Sequence, residues 1–401
     1  MSATNTIRLA YLVSHPIQYQ APLLKLIANQ NKIKLLTIFR SDVSVGVFFD
    51  NEFGVSMKWD TPLTEGYDHI FLKSLGSAIK FSFLSPINYG LMHILLKRRI
   101  DILWVHGWGS LFQIYAIFMA RILGIKVLIR GESNLHTSAV KGWKSPLKKL
   151  FLRFLFRRVN GCLAIGSLNK DFYHHYGVSD SKIFLVPYVV NNKFFQKKSL
   201  LSPEDTLQLS SRYDLDKTRK IILFASKMIE RKRAIDLLRA YFLLTNHYKG
   251  FSMPYLLFIG DGDERKVLEE IANAHSSKDF IKFLGFQNQS ELPKFFSLCD
   301  VFVLPSEDEP WGLIVNEAMN AARPIIASDQ VGCALDLIKN GVNGYIFKAG
   351  DHVQLAEYML KILSSDVRID IMGNASLNII NNWGYEQAIL GMNNALESLT
   401  S

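Results

Sequence analysis

The sequence predicts two α/β domains of similar size, each built on an open parallel sheet. Three observations carry this prediction. Short runs that are apolar at nearly every position alternate with helix-length amphipathic segments. Strands buried on both faces, joined by crossover helices, read this way. The alternation lapses once, between Tyr188 and Lys217. The length of 401 residues suits two or three domains.

In the first half, the strand-like runs are residues 7–14, 33–39, 102–105, 126–129, 161–165 and 183–186. Helical patterns lie between them at 22–28, 89–98 and 111–123. Residues 191–217 are polar without a long period and read as a linker. It separates a first domain, 1–190, from a second, 218–383. The second alternating run has strands at 221–225, 255–259, 281–283, 301–304 and 325–327. Its helical patterns include 234–244, 264–274 and 313–321, and a last helix falls within 384–401. Ligands in such folds bind at the carboxyl ends of the strands, and here the expectation is a cleft between two sheets.

Composition narrows the function classes. Hydrophobic residues make up 49%, enough for large cores and too many for a disordered chain. Cys162, Cys299 and Cys333 are far apart, which points to a reducing cytosolic compartment and to no metal. The start of the chain reads as a first strand rather than a signal peptide. The apolar run 111–120 ends at Arg121, too short for a membrane span. Residues 1–200 carry 26 basic and 10 acidic side chains, and residues 201–401 carry 20 and 26. The +16 half calls for an anionic partner: a membrane surface, a nucleic acid or a phosphorylated substrate. None of the recognised nucleic-acid motifs occurs, so nucleic acid is not expected.

The densest chemistry lies in "SEDEPWGLIVNEAM", which follows a strand and opens a helix. Helix N-termini offer free amides and a positive dipole end, suited to a diphosphate. Gly312 permits close backbone approach. Glu309 precedes the helix and Glu317 lies on its second turn, and each carboxylate could accept hydrogen bonds from a vicinal diol. Taken alone, the pair reads more readily as a dipole-complementing residue and a solvated face residue than as a ligand site. Upstream, "SKMIERKR" places Lys227 and Lys232 in the loop after residues 221–225, where two cations could neutralise a diphosphate. The strand 255–259 runs into the glycine-rich turn "GDGDERK" at Gly260, which is not GxGxxG and supports no dinucleotide fingerprint. In "IKFLGF", a glycine flanked by aromatics that include Phe286 could frame a nucleobase.

In this order these segments closely resemble the retaining family-4 glycosyltransferases of GT-B fold, over about Arg219 to Lys348. "EPWGLIVNE" matches the E-x7-E motif, and "VPYVVNNKFF" is similar to the interdomain segment written VPNGVD. "SHPIQYQAPL" resembles a subgroup of bacterial surface-polysaccharide transferases. The resemblance implies two Rossmann-like domains with sheets facing across a cleft, and a C-terminal helix that crosses back to the first. It implies a UDP- or GDP-sugar donor and a glycan or lipid-linked acceptor, as in lipopolysaccharide synthesis, and no cofactor or metal. By resemblance, Glu309 contacts the donor sugar, and the amides of Trp311, Gly312, Leu313 and Ile314 hold sugar and phosphate oxygens. Glu317 binds the ribose, and Lys227 and Lys232 hold the diphosphate. The chain departs from the family pattern at Lys227, usually Arg, and at Arg233, usually Gly. It also has "SHPIQY" in place of a glycine-rich loop, and "IRGESNLHTS" where a histidine is common. A GT-B nucleotide-sugar epimerase and a catalytically silent binding protein are the alternatives; the intact Glu309, Glu317 and Lys232 weigh against the second.

On the acceptor side, His15, His106, Arg130 and Glu132 fall at predicted strand ends. Glu132 could take the acceptor proton, although a leaving phosphate could do so instead. The segment 141–158 sets Leu147, Leu150, Phe151, Phe154 and Leu155 on one side of a helix, with Lys148, Lys149, Arg153 and Arg157 largely elsewhere. It suits either a peripheral helix on the inner face of an anionic membrane or a crossover helix with a solvated cationic face.

Overall fold

The computed structural model describes residues 6–50, 54–75, 81–136, 144–247 and 252–400. The chain divides into two compact units. The first comprises the chain up to Phe48, Thr61–Tyr188, and the C-terminal segment from Tyr385; the second comprises Phe49–Asp60 and Val189–Gly384. Residues 49–60 thus belong to the second unit although they lie between strands of the first.

The first unit holds seven parallel strands: β1 (Ile7–Val13), β2 (Ile33–Phe39), β3 (Asp68–Phe71), β4 (Ile102–His106), β5 (Lys126–Arg130), β6 (Gly161–Ala164) and β7 (Ile183–Leu185). Their order is β7-β6-β5-β4-β1-β2-β3. Ile7 of β1 pairs with Ile33 of β2, and Leu9 of β1 pairs with Ile102 of β4 on its other side. The strand order reverses at β1 and β4, and side chains at the carboxyl ends of such a pair can converge on a ligand. β3, "DHIF", was not among the expected strands: two of its four residues are polar, as an edge position allows. The expected helix at 89–98 begins only at Leu91, because Tyr89 pairs with Lys73 in a two-stranded ribbon.

The second unit repeats the plan with β8 (Ile221–Ala225), β9 (Tyr255–Ile259), β10 (Ile281–Phe283), β11 (Val301–Leu304), β12 (Ile325–Ser328) and β13 (Gly344–Phe347). Their order is β10-β9-β8-β11-β12-β13, so the switch falls between β8 and β11. These strands are buried almost throughout, which explains their unbroken apolar runs.

Two expectations need correction. Residues 191–217, read as a linker without helical period, contain regular structure. They form the helices Asn192–Ser199 and Pro203–Arg212, capped by the side chains of Asn191 and Ser202. Asn192 ties the first to the helix Leu313–Asn320: Asn320 Nδ2 donates to Asn192 Oδ1 at 2.9 Å. The helix Lys144–Phe156 buries Leu152, Leu155 and Phe156, whereas Leu147, Leu150, Phe151 and Phe154 are exposed. Leu155 therefore leaves the face assigned to it, and residues 141–143 of that segment lie outside the described ones.

The last helix, Tyr385–Thr400, belongs to the first unit and packs on β6 and β7. It approaches so closely that a Cβ on Gly391 would lie 1.8 Å from the Leu185 carbonyl oxygen. Among the described residues, no helix is long and apolar enough to cross a membrane.

Candidate functional site

In the second unit, the loop after β11 is clamped from below. Glu309 bridges Val331, and the Gly332 and Cys333 amides donate to the carbonyls of Glu309 and Trp311 at 2.9 and 2.8 Å. Only glycine fits at 332, where a Cβ would lie 1.9 Å from the Pro310 oxygen. Trp311 is buried, donates Nε1–H to Asn316 Oδ1 at 3.1 Å, and stacks on Trp383. Gly312 caps the helix Leu313–Asn320 with φ +93°, in the left-handed region. The amides of Leu313 and Ile314 open that helix, where no carbonyl stands a turn below to receive them.

Two of the expected donor residues meet directly. Lys232, on the short turn Glu230–Lys232 after β8, donates to Glu309 Oε2, and both side chains are nearly buried. Arg233 follows in the left-handed region at φ +54°, where the resembled family has glycine, and pairs with Asp236 at 2.7 Å. Lys227 Nζ lies 3.0 and 3.1 Å from the two carboxylate oxygens of Asp50. Sequence reading missed Asp50, which carries no motif.

Glu317 stands on the same helix with its Oε2 buried and without a hydrogen-bond partner among the described residues. Burial pushes its carboxyl up to about 8. An unsatisfied buried carboxyl oxygen is costly, and a hydroxyl donor would satisfy it.

Gly260 has a packing reason of its own. At φ +122°, its backbone passes so near the loop after β8 that a Cβ would lie 2.0 Å from the Ser226 oxygen. Its amide donates to the Gly285 carbonyl at 2.9 Å, next to Phe286 in the loop after β10. The loops after β8, β9 and β10 are thus laid against one another by backbone contacts.

The first unit has its own polar group, at the ends of β1, β4 and β5. Gln113, on the helix Leu111–Ile122, holds the His106 carbonyl. His106 Nε2 lies 3.6 Å from Glu132 Oε1 and 3.5 Å from the Tyr188 hydroxyl, and its Nδ1 is buried without a partner among the described residues. Tyr188 and Tyr19 both donate to Glu132 Oε1, the latter at 3.1 Å. Burial would raise the Glu132 carboxyl, but the hydrogen bond and charge of His106, with the two tyrosines, outweigh it and hold the group well below the usual range. The Glu132 side chain remains 41% exposed. His15 bonds Ser14 at 3.0 Å, and burial with the neighbouring His106 charge lowers it to about 4.

Arg130 does not present its guanidinium to solvent. It is 2% exposed, donates Nη2 to the carbonyls of Val186 and Pro187, and lies 4.4 Å from the Tyr188 ring centroid. Tyr188 was missed because a tyrosine in an apolar stretch reads as core, and Tyr19, between two glutamines, because its partner Glu132 is 113 residues away. Among the described residues, no cluster of His, Cys, Asp or Glu could hold a metal ion.

Residues 206–379 match the family model described as glycosyl transferases group 1. The α-D-kanosaminyltransferase of Streptomyces kanamyceticus is 24% identical over 62% of this chain and 64% of its own length. The α-monoglucosyldiacylglycerol synthase of Acholeplasma laidlawii is 26% identical over 50% of this chain and 48% of its own. The chain thus spans about half to two thirds of these relatives. The crystal structure of Anabaena HepE in complex with UDP and glucose covers 98% of this chain and all of that one, with TM-score 0.69 and 14% identity. That likeness is one of fold, and the fold is GT-B.

Proposed function

We propose that this GT-B chain, whose residues 206–379 match the family model described as glycosyl transferases group 1, moves a sugar from a nucleoside-diphosphate sugar to a hydroxyl of a glycan or lipid-linked acceptor, with retention of configuration. The observation that carries the reading is the buried Oε2 of Glu317, unpartnered among the described residues, one helix turn from the amides of Leu313 and Ile314. A carboxylate beside a helix N-terminus suits a ligand that brings hydroxyls and a phosphate together. Glu317 takes the ribose diol, the amides from Trp311 to Ile314 take phosphate and sugar oxygens, and Lys227 and Lys232 take the diphosphate. Glu309 faces the sugar. Gly260 and Phe286 line the base side. Both UDP and GDP suit this frame, and the UDP bound by Anabaena HepE favours the first.

In the first unit, His106 is the acceptor-side group, oriented by Glu132, Tyr19 and Tyr188. A carboxylate held well below its ordinary range is a weak base near neutrality. The Glu132 chemistry therefore favours positioning His106 over taking the acceptor proton, and a leaving phosphate can take that proton instead. His15 sits beside His106 as a neutral imidazole. The chemistry calls for no cofactor and no metal, because the two lysines and the helix dipole supply the positive charge.

The acceptor is proposed to be presented at an anionic membrane, on the cytoplasmic side, in surface-polysaccharide synthesis. The exposed Leu147, Leu150, Phe151 and Phe154 beside Lys149, Arg153 and Arg157 support peripheral attachment, and the diacylglycerol-linked product named for the Acholeplasma relative is consistent with it. The primary test is Glu309→Ala. Turnover of a nucleotide-sugar with acceptor should fall at least about a hundredfold, the scale of losing one positioned charge contact in a reaction centre, with the fold retained. Near-native transfer by the variant would remove this loop from the donor site.

A further inference from the structure

We infer that Asp50 is a built-in competitor of the donor's diphosphate: its carboxylate holds the place on Lys227 that a phosphate oxygen takes, and donor binding displaces it. The inference rests on the reading that Lys227 serves the diphosphate.

The geometry is that of an anion in a cation's first coordination sphere. Both oxygens of Asp50 reach Lys227 Nζ, at 3.0 and 3.1 Å, and the two side chains are only 20% and 21% exposed. An exposed pair is worth little; this one is mostly withdrawn from water, where attraction is stronger.

The segment that carries Asp50 is anchored along the same sheet edge. At its far end, Asn288 Nδ2 donates to the Lys58 carbonyl at 3.0 Å, and the Ser290 amide donates to Asp60 Oδ2 at 3.0 Å. Asn288 and Ser290 follow β10, and Lys227 follows β8. In the sheet, β9 lies between these two strands. The two anchor points of residues 49–60 therefore flank the Gly260 loop, on the edge where the nucleotide is proposed to lie.

Charge balance decides which carboxylate yields. Lys232 is paired with Glu309, and Lys227 with Asp50. A diphosphate brings about two further negative charges, so retaining both carboxylates would add like charge around the two lysines, which low-dielectric surroundings penalise. The Glu309 side chain is 12% exposed and bonded to Lys232, and it stays where the donor sugar is proposed to meet it. Asp50 lies at the start of residues 49–60, whose contacts at Lys58 and Asp60 survive if only the Asp50 side chain turns away. The consequence is a lowered affinity for both nucleotide-sugar and released nucleoside diphosphate, which speeds product release.

Calorimetric titration of UDP and of GDP into four proteins tests this: wild type, Asp50→Asn, Lys227→Ala and the double variant. Asp50→Asn keeps the shape and removes the charge. It should tighten binding of the accepted diphosphate roughly tenfold, the effect of one strong charge pair. In the Lys227→Ala background the gain should shrink. Unchanged or weakened binding in Asp50→Asn, while Lys227→Ala weakens binding, would overturn the competition and leave the donor site standing. Binding indifferent to Lys227→Ala would instead overturn the assignment of Lys227 to the diphosphate. Urea unfolding of each variant confirms that the differences arise in the folded protein.

Discussion

Glu317 shows how one residue couples folding to a ligand. Burial raises its carboxyl to about 8, above the ~4.3 of an unfolded glutamate. The folded chain therefore holds a proton that the unfolded chain has already lost. This contribution is fully present below the unfolded value and is lost as pH rises through the folded one, so stability should decline between about pH 4.5 and 8. Glu317→Gln should flatten that decline, and denaturant unfolding from pH 5 to 9 measures it; parallel curves for the two proteins would refute the buried-acid assignment. Ribose hydroxyls donating to Glu317 would favour the ionised form. Nucleotide binding at pH 7 should then release a proton, read by calorimetry in two buffers of different ionisation enthalpy. Glu309 and Glu317 were legible from the sequence because their spacing around a Pro-Trp-Gly turn is local. Asp50, Tyr19 and Tyr188 were not, because each matters only through a residue far along the chain.

Among the elements, two close contacts are testable by a single methyl group. Gly332→Ala would press a Cβ against the Pro310 oxygen, and Gly391→Ala would press one against Leu185. Each should cost more than ~2 kcal/mol of stability. Gly46→Ala, with nothing within 4 Å of the added atom, should be nearly neutral in the same thermal melts. The Gly332 variant should also lose nucleotide affinity, since that contact sets the Glu309 loop; the Gly391 variant should loosen the last helix from β7 and leave nucleotide affinity close to native. Equal loss of affinity in both would deny the clamp its local role.

At the scale of the molecule, charge is the main asymmetry. The first 200 residues carry a net +16 and the rest a net −6. Each lysine or arginine near an anionic surface contributes about 1 kcal/mol, decaying within a Debye length. Binding to vesicles should require anionic lipid, weaken with salt and fail when Lys148, Lys149, Arg153 and Arg157 are reversed to Glu, while a soluble acceptor analogue is still turned over. Equal partition onto neutral and anionic vesicles would exclude an electrostatic attachment, and the positive half would then serve a phosphorylated acceptor.

Local pattern in the chain was enough to place two α/β units, eleven of their strands, and the loop with the paired glutamates. Each of these is written in short-range pattern: unbroken apolar runs for doubly buried strands, and a glycine before a helix for the loop. The strands β3 and β13 and the two helices within 191–217 escaped, since short, half-polar or weakly amphipathic segments lack a clear period. Tertiary structure alone decided the pairings. Lys232 meets Glu309 across 77 residues, Tyr188 meets Glu132 across 56, and Lys227 meets Asp50 across 177. Such contacts depend on strand order within a sheet and on where an inserted ribbon lands, and neither leaves a period in the chain.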